Sequence, residues 1–225
     1  MIMNSLLWNK IIELSTNIES KFKLTGQRIK ETEENYNWYN AIYNSDRYRR
    51  AHIEIVDMRE SHKIYILHST VFPHFNDCSP IWGFDVICGP NKITGAFHDF
   101  SNAGNPDHEM YHWFANYTSN LAWNKKRELP EWAKKIFSPA MIAAGNLHSE
   151  IEIDQLATTV VESLEYYLSN VGLSQESGSD FHMAQNRYCY YQKQNPQVVN
   201  SMIAMGIKKE IIEKFINEIL FPEII

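Results

Sequence analysis

The chain has 225 residues, a formal net charge of −6, 44% hydrophobic residues and 21% charged residues. That balance excludes disorder throughout and permits a core that needs no disulfide or metal staple. The acidic charge argues against a general nucleic-acid binder, which would need a basic footprint.

Leu7, Ile11, Leu14, Ile18 and Phe22 recur at helical spacing and predict an amphipathic N-terminal helix, with Gly26 just past its end. The apolar start, Met1 to Trp8, is too short for a secretory h-region, and no apolar run is long enough to predict a transmembrane helix. From Gln27 to Ser101 the period changes to two. Strands are predicted over Arg28–Glu33, Tyr36–Tyr43, Tyr48–Met58, Lys63–Phe72, Gly83–Cys88 and Ile93–Asp99. Turn signals separate several of them, for example Asn44-Ser45-Asp46, Glu60-Ser61-His62 and Gly89-Pro90-Asn91-Lys92. Connections this short require antiparallel pairing, so the segment reads as a meander of about six strands.

The pattern then returns to helix. Pro106 can start a helix running through Tyr111 and Trp113. Ile153, Leu156, Val160, Leu164, Tyr167 and Val171 form a long stripe that closes near Gly172. Further helices are expected over Asp180–Gln194, Val198–Met205 and Ile211–Leu220, with Pro196 breaking the first from the second. Helices thus flank one antiparallel sheet in sequence. Strands such as Tyr65-Ile66-Leu67 and Val86-Ile87 are apolar on both faces. The expected fold is therefore α/β, a three-layer α/β/α sandwich with a central antiparallel sheet, formed as a single domain over residues 1–225. Cys78, Cys88 and Cys189 show no CxxC spacing, which suggests reduced thiols and a cytoplasmic setting.

Ionisable residues interrupt the strands. His52 and Glu54 alternate with Ile53 and Ile55, so they share a face. His68 and Asp85 each break an apolar run. A buried carboxylate or imidazole costs several kcal/mol unless it is paired, so each needs a reason. Any one of them is explained by an exposed face or a structural pair. Four on neighbouring strands point to a shared polar pocket. Such a pocket suits proton transfer: burial raises a carboxyl pKa, and a neighbouring carboxylate raises that of a histidine. The chain contains no P-loop, nucleophile elbow or GxGxxG fingerprint.

The ordered set Arg50-Ala51-His52-Ile53-Glu54, Ile66-Leu67-His68, Val71-Phe72-Pro73, Pro80-Ile81-Trp82-Gly83-Phe84-Asp85, Gly89-Pro90 and Gly95-Ala96-Phe97-His98-Asp99-Phe100-Ser101 resembles the ferredoxin-dependent bilin reductase family. The similarity is strongest to the branch containing phycocyanobilin:ferredoxin oxidoreductase and its phage-encoded relatives. Weaker echoes extend it over most of the chain, among them Glu128-Leu129-Pro130-Glu131-Trp132 and Tyr188-Cys189.

The resemblance implies reduction of biliverdin IXα to phycocyanobilin or phycoerythrobilin through bilin radicals, with the substrate between the sheet and the C-terminal helices. Electrons would come singly from reduced ferredoxin, with no permanently bound cofactor. Carried over by position, Asp85 would protonate the bilin and its radicals. His68 would pair with Asp85 and pass protons. Glu54 would serve the D-ring vinyl group, and His52 would belong to the surrounding network. Arg50 and Thr94 occupy propionate-holding positions, and Asn195 matches an asparagine near the tetrapyrrole. Two positions depart from the family. A propionate-holding arginine aligns with Gly145, and a lysine aligns with Gln197. The cluster Lys125, Lys126, Arg127, Lys134 and Lys135 would then suit an acidic ferredoxin, although a solvated helix face explains it on composition alone.

Two other readings compete. His108-Glu109-Met110-Tyr111-His112 is an H-E-x-x-H pattern, which on a helix would put two imidazoles on one zinc with Glu109 as base. The motif falls at a helix start, and no histidine follows at metzincin spacing. A non-catalytic bilin-binding protein would need the pocket but not the acids.

Overall fold

The structure, a computed structural model, describes residues 6–31 and 38–224. The element order is α1 (Leu6–Thr25), β1 (Gln27–Glu31), β2 (Tyr39–Asn44), β3 (Tyr48–Met58), β4 (Ile64–Pro73), β5 (Ile81–Cys88), β6 (Ile93–Ser101), α2 (Glu109–Thr118), β7 (Ile142–Ala144), α3 (Glu150–Asn170), α4 (His182–Gln192), α5 (Pro196–Ala204) and α6 (Lys209–Phe215). One π-helical turn, Ile216–Leu220, continues α6. The seven strands pair in chain order, each antiparallel to the next. The meander follows from connections too short for parallel crossovers.

The fold is the expected α/β/α sandwich. Odd-numbered positions of β3 and β4 (Ala51, Ile53, Tyr65, Leu67, Val71) and even positions of β5 and β6 (Trp82, Phe84, Val86, Ala96, Phe100) face the layer built from α1, α2 and α3. The predicted α1 stripe, Leu7 to Phe22, is buried there. Each such side chain contributes ~1.5–3 kcal/mol of transfer free energy, which holds α1 on the sheet. The opposite face packs Val56, Phe72 and Ile81 against Tyr188, Met202, Ile212, Phe215 and Phe221 of the C-terminal helical layer.

Four details differ from the sequence expectation. β7 adds a seventh strand, because three residues are too few to show an alternation and only pairing with β6 defines them. Pro106 does not start α2. Asn105 Oδ1 instead accepts the Asp107 amide in a turn, and His108 becomes the N-cap. The predicted helix over 211–220 changes to π geometry at Ile216. Finally, β1 and β2 run over Gln27–Glu31 and Tyr39–Asn44, and the parts of the predicted strands at residues 32–33 and 36–37 lie outside the described residues. α3 ends as expected: Val171 N–H donates to Tyr167 O at 2.8 Å, and Gly172 takes φ +83°, which a residue with a Cβ would resist. No helix among the described residues is long and apolar enough to cross a membrane.

Candidate active site

Pairing register builds the site. Glu54 on β3 lies opposite His68 on β4, and His68 lies opposite Asp85 on β5. Directly opposed residues point the same way from a sheet, so the three side chains form a row across its centre. Asn40 extends that row on β2, opposite Glu54. His52 sits two residues before Glu54, and its Nε2 is 3.0 Å from Asn40 Oδ1. His52 is also 6.0 Å, ring to ring, from His68.

A cavity of about 540 Å³ opens over the row, between this sheet face and the C-terminal helices. Such a volume is in the range of small-molecule sites. Glu54, His68 and Asp85 line it, with Phe97, Trp132, Tyr188, Met202 and Phe221 supplying apolar and aromatic wall. His68 meets the Phe221 ring edge-on at 5.8 Å. The cavity gives Asp85 and His68 some accessible surface, while protein surrounds them on their remaining sides.

The electrostatics follow from that enclosure. Burial first, then the charge of Asp85, pushes the Glu54 carboxyl up to about 8, with a hydrogen bond from Trp38 opposing the shift. Burial pushes Asp85 up to about 7. Burial and the Arg50 cation push His68 down to about 3, and His52 falls well below its usual range for the same reasons together with His68. This reverses the sequence expectation for the histidines: desolvation of an imidazolium outweighs the neighbouring carboxyls, which are themselves neutralised. Near neutral pH the row therefore holds a protonated Glu54, a partly protonated Asp85 and a neutral His68. A neutral imidazole can accept a proton on one nitrogen and release one from the other.

The other predicted site residues divide. Asn195 lines the cavity, and its Oδ1 caps α5 by accepting the Gln197 amide at 3.1 Å. His52, Arg50 and Thr94 stand behind the lining rather than in it. Arg50 is buried and donates through Nη2 to the carbonyl of Ile219, one of the carbonyls in the π turn. Thr94 Oγ1 donates to Ile87 O at 3.1 Å. On this face Arg50 Nη1, His52 Nδ1, His68 Nδ1 and Thr70 Oγ1 are buried without a protein hydrogen-bond partner. Most buried polar groups find partners, so these four stand out on this face.

Sequence reasoning did not single out Asn40 or Gln192. Asn40 was signalled by its position in the otherwise aromatic and apolar run Trp38-Tyr39-Asn40-Ala41-Ile42-Tyr43. Gln192 donates to the Tyr188 hydroxyl at 2.8 Å, and Gly83 leaves room for that hydroxyl over β5. Only the tertiary fold brings α4 to the sheet. Asp99 lines the cavity too, and burial raises it to about 6. Its oxygens are taken by Ser101 Oγ and by the Ser138 amide and hydroxyl, so it ties the 138 loop to β6.

The H-E-x-x-H stretch does not form a metal site. His108 Nδ1 accepts the Met110 amide at 3.2 Å, and Nε2 lies 3.0 Å from Ser174 Oγ. The imidazole thus caps α2 with both nitrogens engaged. Among the described residues no three His, Cys, Asp or Glu side chains stand where they could hold one metal ion. The three cysteines are free and buried.

Among curated proteins, the chain is 28% identical over 192 residues to phycocyanobilin:ferredoxin oxidoreductase of Prochlorococcus marinus strain MIT 9313, covering 82% of this chain and 70% of that one. It is 25% identical over 189 residues to the protein of the same name from Trichodesmium erythraeum strain IMS101, covering 81% and 75%. Two solved structures share the fold. PcyX matches with a TM-score of 0.68 at 24% identity, over 96% of this chain and 99% of that one. Tomato phytochromobilin synthase, solved in complex with biliverdin, matches with a TM-score of 0.70 at 16% identity, over 95% and 82%. The family model described as ferredoxin-dependent bilin reductase matches residues 7–222, and the chain belongs to that family.

Proposed function

We propose that this protein reduces biliverdin IXα to a phycobilin with electrons from reduced ferredoxin. The observation that carries the reading is the Glu54–His68–Asp85 row, with both carboxyls held near neutral pKa at the floor of an aromatic cavity. Each added hydrogen needs one electron from ferredoxin and one proton from the protein. A bilin radical forms between successive electrons, and no permanently bound cofactor takes part.

Asp85 protonates the bound bilin and then its radicals, because a carboxyl near 7 is at hand in both forms at working pH. His68, neutral and directly opposite Asp85, relays protons to it. Glu54, still protonated at neutral pH, is the donor for the far end of the row, where the D-ring vinyl group lies. His52 and Asn40 hold the edge of the network. Arg50 adds its charge to the burial that keeps the two histidines neutral, and it pins the π turn that carries Leu220 over the cavity. Thr94 and Asn195 border the propionate and ring positions. Glu54 favours phycocyanobilin as product, whereas the Gly95–Ser101 segment, with its likeness to phage-type relatives, favours phycoerythrobilin.

The ferredoxin is expected to dock at the cavity mouth. Lys125, Lys126, Lys134 and Lys135 are exposed beside Arg127, Trp132 and Ala133, which line the cavity. A basic patch beside the cavity supports this reading, because it would steer an acidic partner toward the bilin.

The test is an anaerobic assay with biliverdin and a ferredoxin-reducing system. Bleaching or a spectral shift of biliverdin is expected, and chromatography names the product. A protein that binds biliverdin but leaves its spectrum unreduced, equally in wild type and Asp85→Asn, is a carrier and sinks the reading.

A further inference from the structure

Residues 128–137 belong to no strand or α-helix, and a single 3-10 turn, Ala133–Lys135, lies within them. The two sides of this segment do different things. Leu129, Pro130, Trp132, Ala133 and Phe137 line the cavity, whereas Lys134 and Lys135 are exposed. One stretch of chain therefore walls the cavity on its inside and carries part of the basic patch on its outside.

What holds the segment is sparse. Just before it, Arg127 N–H donates to Ala143 O at 2.8 Å, beside β7. Within it, the hydrogen bonds among the described residues are local, such as Ala133 N–H to Pro130 O and Phe137 N–H to Ala133 O, both at 3.0 Å. Ile136 is buried, and the Phe137 ring lies 6.3 Å from that of Tyr188 on α4. Apolar packing of this kind is non-directional and does not by itself fix the place of an irregular segment. The directional hold comes from Asp99 on β6. Its carboxylate accepts the Ser138 amide at 2.8 Å and the Ser138 hydroxyl, and Ser101 Oγ, on its own strand, donates to it at 2.8 Å. Ser138 Oγ in turn accepts the Ala140 amide at 3.2 Å. Asp99 is 1% exposed, and a carboxylate that buried needs donors to offset its desolvation. The donors that reach it from outside β6 both belong to Ser138, the residue that ends the segment.

We infer that the Asp99–Ser138 clasp positions residues 128–137, so that Asp99 acts through this segment on how tightly the bilin is held and on how the lysines meet ferredoxin. The inference rests on the bilin reading above and adds a positioning residue to it. Asp99, with both oxygens engaged, stands outside the proton row.

Three variants of the whole chain separate this role from general support of the fold: Asp99→Asn, Ser138→Ala and Ser101→Ala. Amide hydrogen exchange reads the segment directly. Asp99→Asn and Ser138→Ala should speed exchange over residues 128–137 while β5 and β6 stay as protected as in wild type. In absorbance titration, Asp99→Asn should bind biliverdin IXα about tenfold more weakly, because charge-assisted hydrogen bonds are the strong ones. With Ser138→Ala, the apparent KM for ferredoxin should rise about fivefold while kcat changes by less than about twofold. Ser101→Ala removes a bond to the same carboxylate that does not reach the segment. It should leave exchange over 128–137, bilin affinity and ferredoxin KM within about twofold of wild type. Ser101→Ala acting like Ser138→Ala overturns the inference, because Asp99 then supports its strand in general. Unchanged exchange over 128–137 overturns it as well, as does a fall in kcat with KM unmoved. Should Asp99→Asn not fold, Ser138→Ala against Ser101→Ala carries the same comparison. Wild type that neither binds nor reduces biliverdin overturns the bilin reading itself, while exchange still reports whether the clasp holds the segment.

Discussion

The two faces of the sheet each bury a histidine inside a strand, and they treat it in opposite ways. His98 on β6 faces α3. Its Nδ1 is 2.7 Å from Gly83 O and its Nε2 is 2.7 Å from Ser163 Oγ. Phe84, Phe100, Phe114 and Trp82 surround it. Every polar atom of that ring is used, and burial pushes it down to about 4. His68 faces the cavity with Nδ1 unpartnered, between two carboxyls that burial keeps near neutral pKa. Both imidazoles are neutral for the same reason, desolvation, yet one is closed and the other open. A buried ionisable group is therefore a poor indicator of function by itself. Unspent hydrogen-bonding capacity facing a cavity is the better one.

That contrast can be broken by substitution. Asp85→Asn should lower turnover at least about a hundredfold, because a general acid contributes ~10²–10⁴. Stalled absorbance of a bilin radical under anaerobic reduction would accompany it, and full turnover would remove Asp85 from the mechanism. On the other face, His98→Ala should cost about 3 kcal/mol of stability by leaving Ser163 and the Gly83 carbonyl unpaired around a cavity. Chemical denaturation reads this out, with His68→Ala as the control that loses activity at little cost in stability.

The raised Asp85 pKa predicts a pH effect of definite sign. A carboxyl that stays protonated to higher pH in the folded state than in the unfolded chain costs nothing below about pH 4. It destabilises the fold progressively as pH rises through about 7. Asp85→Asn should therefore raise Tm at pH 8 more than at pH 5, by an equivalent of ~1–3 kcal/mol after allowance for the solvent that reaches it. An equal Tm change at both pH values would contradict the raised pKa. Wild-type activity should fall on the alkaline side, as Asp85 and then Glu54 lose their protons near 7 and 8. The smallest effect belongs to Glu54→Gln. It should shift product composition or leave a partly reduced bilin, with overall turnover falling about tenfold. Chromatography of the products decides whether Glu54 sets regiochemistry.

Much of this was legible in the chain. The α1 and α3 stripes bury large apolar faces, so their periodicity survives any tertiary detail. The central strands were readable because β-branched and aromatic residues alternate between two dry faces. Glu54, His68 and Asp85 stood out because charge is expensive in such strands. The family resemblance supplied substrate and electron source, which no periodicity could. The start of α2 was not legible, because Asn105 and His108 capture local backbone groups in a way that Pro106 does not signal.

What the sequence by itself determined is therefore the covered antiparallel meander and the presence of misplaced acids and imidazoles on it. Alternation and desolvation cost are local properties, readable one strand at a time. The tertiary structure decided which histidine is open and that α4, α5 and the π turn close over the row. Those are contacts between residues far apart in the chain, and only packing brings them within reach of one another.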